Sequence, residues 1–154
     1  MSSDVVIKEV PPQWIASVRE VIPSYPAVGR LFGTVVEALS PNMPTGIPVA
    51  IWHDPEFKEK DVDAEAGFYL TQPLSVVPGP VKVHELPSAT VASVIHKGAY
   101  NRLCEAYDSL LRWIGSSGYR VAAPIRELYL QNSQPVRQDD ESYVTEIQVP
   151  IAKQ

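Results

Sequence analysis

The sequence predicts an α+β fold made of duplicated strand–helix–hairpin units with pseudo-twofold symmetry, carrying about eight mostly antiparallel strands and two helices. The first of three observations behind this is an internal repeat. Lys8-Glu9-Val10-Pro11 is echoed by His84-Glu85-Leu86-Pro87, and Ile15-Ala16-Ser17-Val18 by Val91-Ala92-Ser93-Val94, both at an offset of 76 residues. The same offset sets Pro48 on Pro124 and Val35 on Leu111. Val62-Asp63-Ala64-Glu65 also resembles Tyr143-Val144-Thr145-Glu146 once five extra residues are allowed in the later loop. The second observation is a pair of apolar stripes at helical spacing. The third is a set of β-branched runs cut short by 15 prolines in 154 residues. That is about twice the usual ~5% share and excludes an all-helical chain.

The elements follow in order. An extended run, Val5–Val10, ends at a Glu-x-Pro step, and a β-branched strand occupies Trp14–Val21. Val28, Leu31, Phe32, Val35, Val36 and Leu39 then fall at i, i+3, i+4, i+7, i+8 and i+11, the pattern of a one-faced amphipathic helix. Pro41 is expected to stop it. A hairpin, Ile47–Asp54 with Asp63–Leu70, closes the first copy. The second copy repeats this plan with Val81–Leu86 and Thr90–His96, then a helix striped by Leu103, Tyr107, Leu110, Leu111 and Ile114, then a hairpin of Ile125–Gln131 and Tyr143–Ile151. Gly115 and Gly118 are expected to end the second helix. The chain therefore reads as one domain of two repeats, about 4–72 and 80–152, joined near Pro73 to Pro80 and sharing one core. A ligand cleft is expected where the halves meet.

Composition excludes several classes. Thirteen Lys and Arg against 18 Asp and Glu leave a net charge of −5, so direct nucleic-acid binding is not expected. With a single cysteine, neither a disulfide framework nor a cysteine-based zinc cluster is available. Cys104, beside the helix stripe, reads as a small core residue. His53, His84 and His96 lack metal-ligand spacing, so no metal and no cofactor are expected. The first residues carry no basic and apolar secretory pattern, and no run reaches the ~18 apolar residues of a membrane span. A cytoplasmic protein without membrane attachment, monomer or homodimer, is the expectation.

The residues also carry a resemblance. His96-Lys97-Gly98-Ala99-Tyr100, then Leu103, Ala106-Tyr107, Leu110, Trp113-Ile114 and Gly118-Tyr119, resemble the GyrI-like small-molecule-binding domain. Pro124-Ile125-Arg126-Glu127-Leu128-Tyr129-Leu130 and Thr145-Glu146-Ile147-Gln148-Val149-Pro150 continue the pattern in order. The resemblance covers nearly the whole chain, most tightly Glu85 to Ile151. It implies kinship with the effector-binding domains of BmrR-type and AraC-type regulators. It also implies a pocket for bulky aromatic, often cationic molecules with one acid on its floor, matched here by Glu127. Some members are hydrolases that open cyclopropanoid alkylating compounds with that glutamate as candidate base. Strand-like sequence starts at Val5 with no DNA-binding helices ahead of it, so a transcription-factor role in cis is not expected.

Glu127 sits in the apolar strand Pro-Ile-Arg-Glu-Leu-Tyr-Leu, where a carboxylate is costly unless compensated. The plain alternatives are that it faces solvent, or pairs with Arg126 or Arg137. Strand parity puts it on one face with Ile125, Tyr129 and Gln131. Under the repeat Glu127 corresponds to Ile51 and Tyr129 to His53, and the closing strands add Tyr143 and Phe68 to that face. The expected ligand lining is Glu127, Tyr129, Tyr143, Phe68 and His53, with Trp52 in reserve should a bulge reverse the parity. Glu65 and Glu146 hold equivalent places and read as structural. The function expected is binding or sequestration of multidrug or xenobiotic compounds. The alternative is a cyclopropanoid hydrolase with Glu127 as general base and Tyr129 or Tyr143 positioning the substrate.

Overall fold

In this computed structural model residues 4–40, 45–72, 74, 77 and 79–154 are described. In chain order they form strands β1 (Val6–Val10) and β2 (Gln13–Ile22), helix α1 (Val28–Leu39), and strands β3 (Thr45–Trp52), β4 (Val62–Leu70), β5 (Lys82–Leu86) and β6 (Ala89–Lys97). Helix α2 (Leu103–Ser116) and strands β7 (Tyr119–Val121), β8 (Ile125–Gln131) and β9 (Val144–Lys153) follow. A 3₁₀ turn leads into each helix, at Tyr25–Ala27 and Tyr100–Arg102. The α+β class and both hairpins agree with the expectation.

The chain divides into two compact units. The first is Pro11–Ser88; the second is Ala89–Gln154 together with Met1–Val10. In the first unit β5 pairs with β2, β2 with β4, and β4 with β3, every pairing antiparallel. In the second unit β1 pairs with β6, β6 with β9, and β9 with β8, again antiparallel. The opening strand of each sequence repeat thus completes the sheet built by the other repeat. A Pro follows each of these strands, Pro11 after β1 and Pro87 after β5. Proline cannot donate to a ladder, which suits the point where the chain leaves one edge for another strand.

Each sheet buries its apolar face under one helix. Leu31, Val35 and Leu39 of α1 pack with Ala16, Val18, Ile22, Val62, Ala64 and Ala66. Leu110 and Ile114 of α2 pack with Ala92, Val94, Ile147, Val149 and Ile151. Full burial of each large aliphatic side chain contributes about 1.5–3 kcal/mol. Val36 and Leu111, at the i+8 positions, lie on the exposed side of their helices. Counted from the preceding 3₁₀ turns, Val35 therefore answers to Leu110 and not to Leu111, one residue earlier than a constant offset places it. The chain between strand and helix differs in length by one residue in the two copies, which a constant offset cannot register.

Other expectations need correction. Gly115 lies inside α2, and the helix ends at Ser116 with Ser117 as cap and Gly118 at φ +85°, the left-handed turn that glycine adopts at little cost. α1 ends at Leu39 with Ser40 as cap, while Pro41 lies outside the described residues, as does Pro73 of the expected junction. Cys104 is exposed, because it sits one residue past Leu103 on the first turn and faces away from the stripe. β7 was not anticipated. Three residues carry no periodicity, and the strand exists through its pairing with Ile151, Ala152 and Lys153 of β9. No helix among the described residues is long and apolar enough to cross a membrane.

Candidate functional site

In β8 four consecutive residues, Arg126 to Tyr129, are buried, so the strand is covered on both faces and Glu127 retains only 5% exposure. The solvent-facing alternative is therefore excluded. Tyr129 lies two residues on, on the same face, and its hydroxyl donates to Glu127 Oε1 at 2.7 Å. Tyr107, from the stripe of α2, donates its hydroxyl to Oε2. Tyr100, in the turn before α2, sets its ring edge-on to Tyr129 at 5.6 Å and tilted against Tyr143 at 4.9 Å. The second unit thus gathers one carboxylate and four tyrosines.

Burial raises the Tyr129 hydroxyl well above the usual phenol range, and the neighbouring Glu127 charge raises it further. Burial also pushes Tyr100 up to about 12, against a lowering hydrogen bond from Asn132, with Tyr143 and Glu127 adding to the rise. Both phenols stay protonated at neutral pH, and Tyr129 is held as a donor. Hydrogen bonds stabilise the Glu127 carboxylate but do not neutralise it, and among the described residues no Lys, Arg or His pairs with it. Thr145, directly opposite Tyr129 on β9, is fully buried, and its hydroxyl has no hydrogen-bond partner among the described residues. A buried hydroxyl left in that state costs about 1–3 kcal/mol.

The expected site residues fall into two groups. Glu127, Tyr129 and Tyr143 are brought together in the second unit. Tyr143 contributes its ring, since its hydroxyl accepts from the Arg137 amide at 2.9 Å and shares a short hydrogen bond with Ser133. Phe68, Trp52 and His53 belong to the first unit and have partners within it. Phe68 meets Phe32 edge-on at 5.8 Å, Trp52 meets Tyr25 at 5.0 Å, and His53 Nε2 donates to Glu65 Oε1 at 2.8 Å.

The cross-strand register also corrects the correspondence between copies. Ile51 faces Glu65 on β4, and Leu128 faces Glu146 on β9. With the two glutamates equivalent, Tyr129 answers to Trp52 rather than His53, and Glu127 answers to Ala50 rather than Ile51. The turn tyrosines agree, since Tyr25 packs on Trp52 as Tyr100 packs on Tyr129. Where the second unit has Glu127 and Tyr107, the first has Ala50 and Phe32. The acid and both of its hydroxyl donors are thus peculiar to one copy.

Sequence reasoning missed Tyr107 and Tyr100. Tyr107 stood in the helix stripe as an apolar position, yet a hydroxyl within such a stripe needs a partner, and that was its signal. Tyr100 stood in the motif that carried the family resemblance, but no periodicity assigned it a face.

Glu65 and Glu146 form the other polar clusters. Ser17 donates to Glu65 at 2.5 Å and Ser93 donates to Glu146 at 2.7 Å, so the pair is duplicated. The second copy adds the Lys8 ammonium at 2.6 Å and a donation from Gln148 at 2.9 Å. The first adds His53 and His84, the latter at 2.6 Å. Burial pushes the Glu65 carboxyl up, but hydrogen bonds from His53, His84 and Ser17 outweigh it and hold the group far below the usual carboxylate range. Among the described residues no group of three or more His, Cys, Asp or Glu is arranged to hold a metal ion.

Comparison with known proteins agrees with this fold. The EcmrR C-terminal domain is 29% identical and superposes with a TM-score of 0.86 over 100% of both chains. In the EcmrR–DNA complex the same likeness covers 59% of the EcmrR chain, so this chain spans well under two thirds of that longer protein. SAV2435 bound to tetraphenylphosphonium shares the fold at 15% identity and a TM-score of 0.63, covering 97% of this chain and 94% of its own. A hydrolase from Listeria innocua does so at 12% and 0.67, covering 98% and 93%. No protein with a curated description matches the chain. The family model for the GyrI-like small molecule binding domain matches residues 3–152, and the chain belongs to that family.

Proposed function

We propose that the chain binds bulky aromatic, often cationic small molecules, of the multidrug or xenobiotic kind, with Glu127 as the charged anchor. The observation that carries this reading is a buried carboxylate whose partners are neutral tyrosine hydroxyls, set among aromatic rings. Such a carboxylate has lost hydration worth several kcal/mol without gaining a counter-ion. An organic cation restores the missing charge, and each ring face it meets adds about 0.5–2 kcal/mol. The unpaired Thr145 hydroxyl offers one further contact. Tetraphenylphosphonium, the ligand of SAV2435, is a fitting probe because it is a bulky aromatic cation.

Titration calorimetry with tetraphenylphosphonium and with neutral triphenylphosphine oxide tests the proposal. Glu127→Gln is expected to weaken the cation by about tenfold or more while leaving the neutral compound within about twofold. Equal losses for both ligands, or no loss for the cation, would overturn the anchor role. The hydrolase alternative is less well served by this geometry, because both Glu127 oxygens already accept a hydroxyl and a base needs reach to its proton. Ring opening of a cyclopropanoid alkylator above the Glu127→Gln background would restore that alternative.

A further inference from the structure

The duplication provides an internal comparison for the Ser17–Glu65 pair. In the second unit the equivalent pair, Ser93–Glu146, is flanked by Val6, which faces Ser93, and by Ile95, which faces Glu146. In the first unit Lys82 faces Ser17 and Arg19 faces Glu65. In the second unit the serine, the glutamate, the Lys8 ammonium and the Gln148 amide tie the strands together with apolar flanks. The first unit carries two further cations at those flanks. A cavity of about 240 Å³ opens beside them, lined by Ser17, Arg19, Glu65, Pro80, Lys82 and His84.

The unused hydrogen-bonding capacity of this cavity is mainly on the donor side. Glu65 accepts from His53 on one oxygen and from Ser17 and His84 on the other, filling three of its roughly four lone-pair sites. Arg19 gives Nε and Nη2 to Asp63 at 2.9 and 2.7 Å, which leaves Nη1. Lys82 is exposed, and its ammonium has no partner among the described residues. His84 spends Nε2 on Glu65, at 3.3 Å from Ser17 Oγ, and keeps Nδ1.

We propose that this cavity is a second binding site, for a small organic anion carrying a carboxylate or phosphate group, held by Lys82 and Arg19 over His84. It is independent of Glu127 and of the cation reading there. The charges facing His84 are Glu65 on β4, Arg19 on β2 and Lys82 beside it on β5; Arg19 is itself paired with Asp63, and Ser17 and His53 hydrogen-bond to Glu65. With His84 neutral the two cations and two carboxylates balance, so the site gains a net positive charge when the ring takes up a proton. The hydrogen bond to Glu65 raises His84 against the lowering effect of burial, which brings that charge closer to neutral pH. Anion binding tightens with acidity on this account.

The test is a titration of isotope-labelled protein, following the His84 ring and the Lys82 and Ser17 amides by NMR. Sodium citrate, sodium phosphate and sodium chloride are compared at matched ionic strength. The expected result is saturable shifts with citrate or phosphate and none with chloride, tighter at about pH 6 than at about pH 8. Citrate alone identifies a carboxylate site, and phosphate as well identifies a general oxyanion site. Lys82→Ala, an exposed position, should weaken the anion about two- to fivefold, and Lys82→Glu about tenfold or more. Shifts that chloride reproduces, or an affinity unchanged in both Lys82 variants, would overturn the proposal, whatever Glu127 binds.

Discussion

Glu127 takes its hydrogen bonds from two tyrosine hydroxyls, whereas Glu65, equally buried, takes its own from a serine and two histidines. The difference decides what each can do, since a histidine can supply a compensating proton and a tyrosine at neutral pH cannot. Tyr107→Phe removes one of only two donors to a buried charge, and is expected to cost about 1.5–3 kcal/mol in urea unfolding. Phe32 at the equivalent place shows that a ring without the hydroxyl fits this scaffold, so a stability change reads the hydroxyl itself. Thr145→Val acts in the opposite direction. It replaces an unpartnered buried hydroxyl, and should stabilise the free protein by about 1 kcal/mol in the same measurement. A loss of stability would mean that the hydroxyl is satisfied in solution. These residues show what was legible in advance: an acid in an apolar strand announces itself, but its donors come from a helix and cannot be read from strand parity.

Strand β4 carries Glu65 between β2 and β3, and its hydrogen bonds reach Ser17 on β2, His84 on β5 and His53 just past β3. Acid therefore loosens this sheet in a defined window. The carboxyl is lowered in the folded chain, so its stabilisation is present above the unfolded value of about 4.3 and disappears as pH falls toward the folded value. His84 is raised, so its contribution is present below about 6.5 and is lost as pH rises through the folded value. Urea midpoints of Glu65→Gln should vary less with pH than wild type below about pH 4; an identical acid limb would show that Glu65 does not govern it. Glycines on different elements separate close approach from simple flexibility. A Cβ on Gly67 would lie 2.0 Å from the Ala16 carbonyl oxygen, so Gly67→Ala should cost about 2 kcal/mol or more. Gly33, in α1, meets nothing within 4 Å, so Gly33→Ala should add about 0.5–1 kcal/mol. Thermal unfolding of the two variants should move in opposite directions.

For the whole molecule, the opening strands matter more than their length suggests. β1 closes one side of β6 and brings the Lys8 ammonium to the buried Glu146, whose carboxyl burial pushes up and Lys8, Gln148 and Ser93 pull down. Removing residues 1–10 therefore exposes a strand edge and strips a buried acid of its cation, a loss of about 3–5 kcal/mol if the acid stays charged. A fall in melting temperature of about 10 °C is expected by calorimetry; a change of a few degrees would show that β6 does not depend on β1. The repeat boundaries at about 4–72 and 80–152 come from duplicated sequence, which preserves local order. The exchange of β1 and β5 was not legible there, since a strand's pattern records which of its faces is buried and says nothing about which neighbour it pairs with.

By itself the sequence determined the duplicated α+β plan, the helix stripes, both hairpins and the presence of an acid, Glu127, within an apolar strand, all of which depend on local periodicity or on one polar residue in apolar surroundings. Tertiary structure alone decided the register that sets Tyr129 on Trp52, the hydroxyls that converge on Glu127, and the cations gathered around Ser17 and Glu65. Those depend on which strands lie side by side, and pairing is settled by packing energies summed over distant segments rather than by any local pattern.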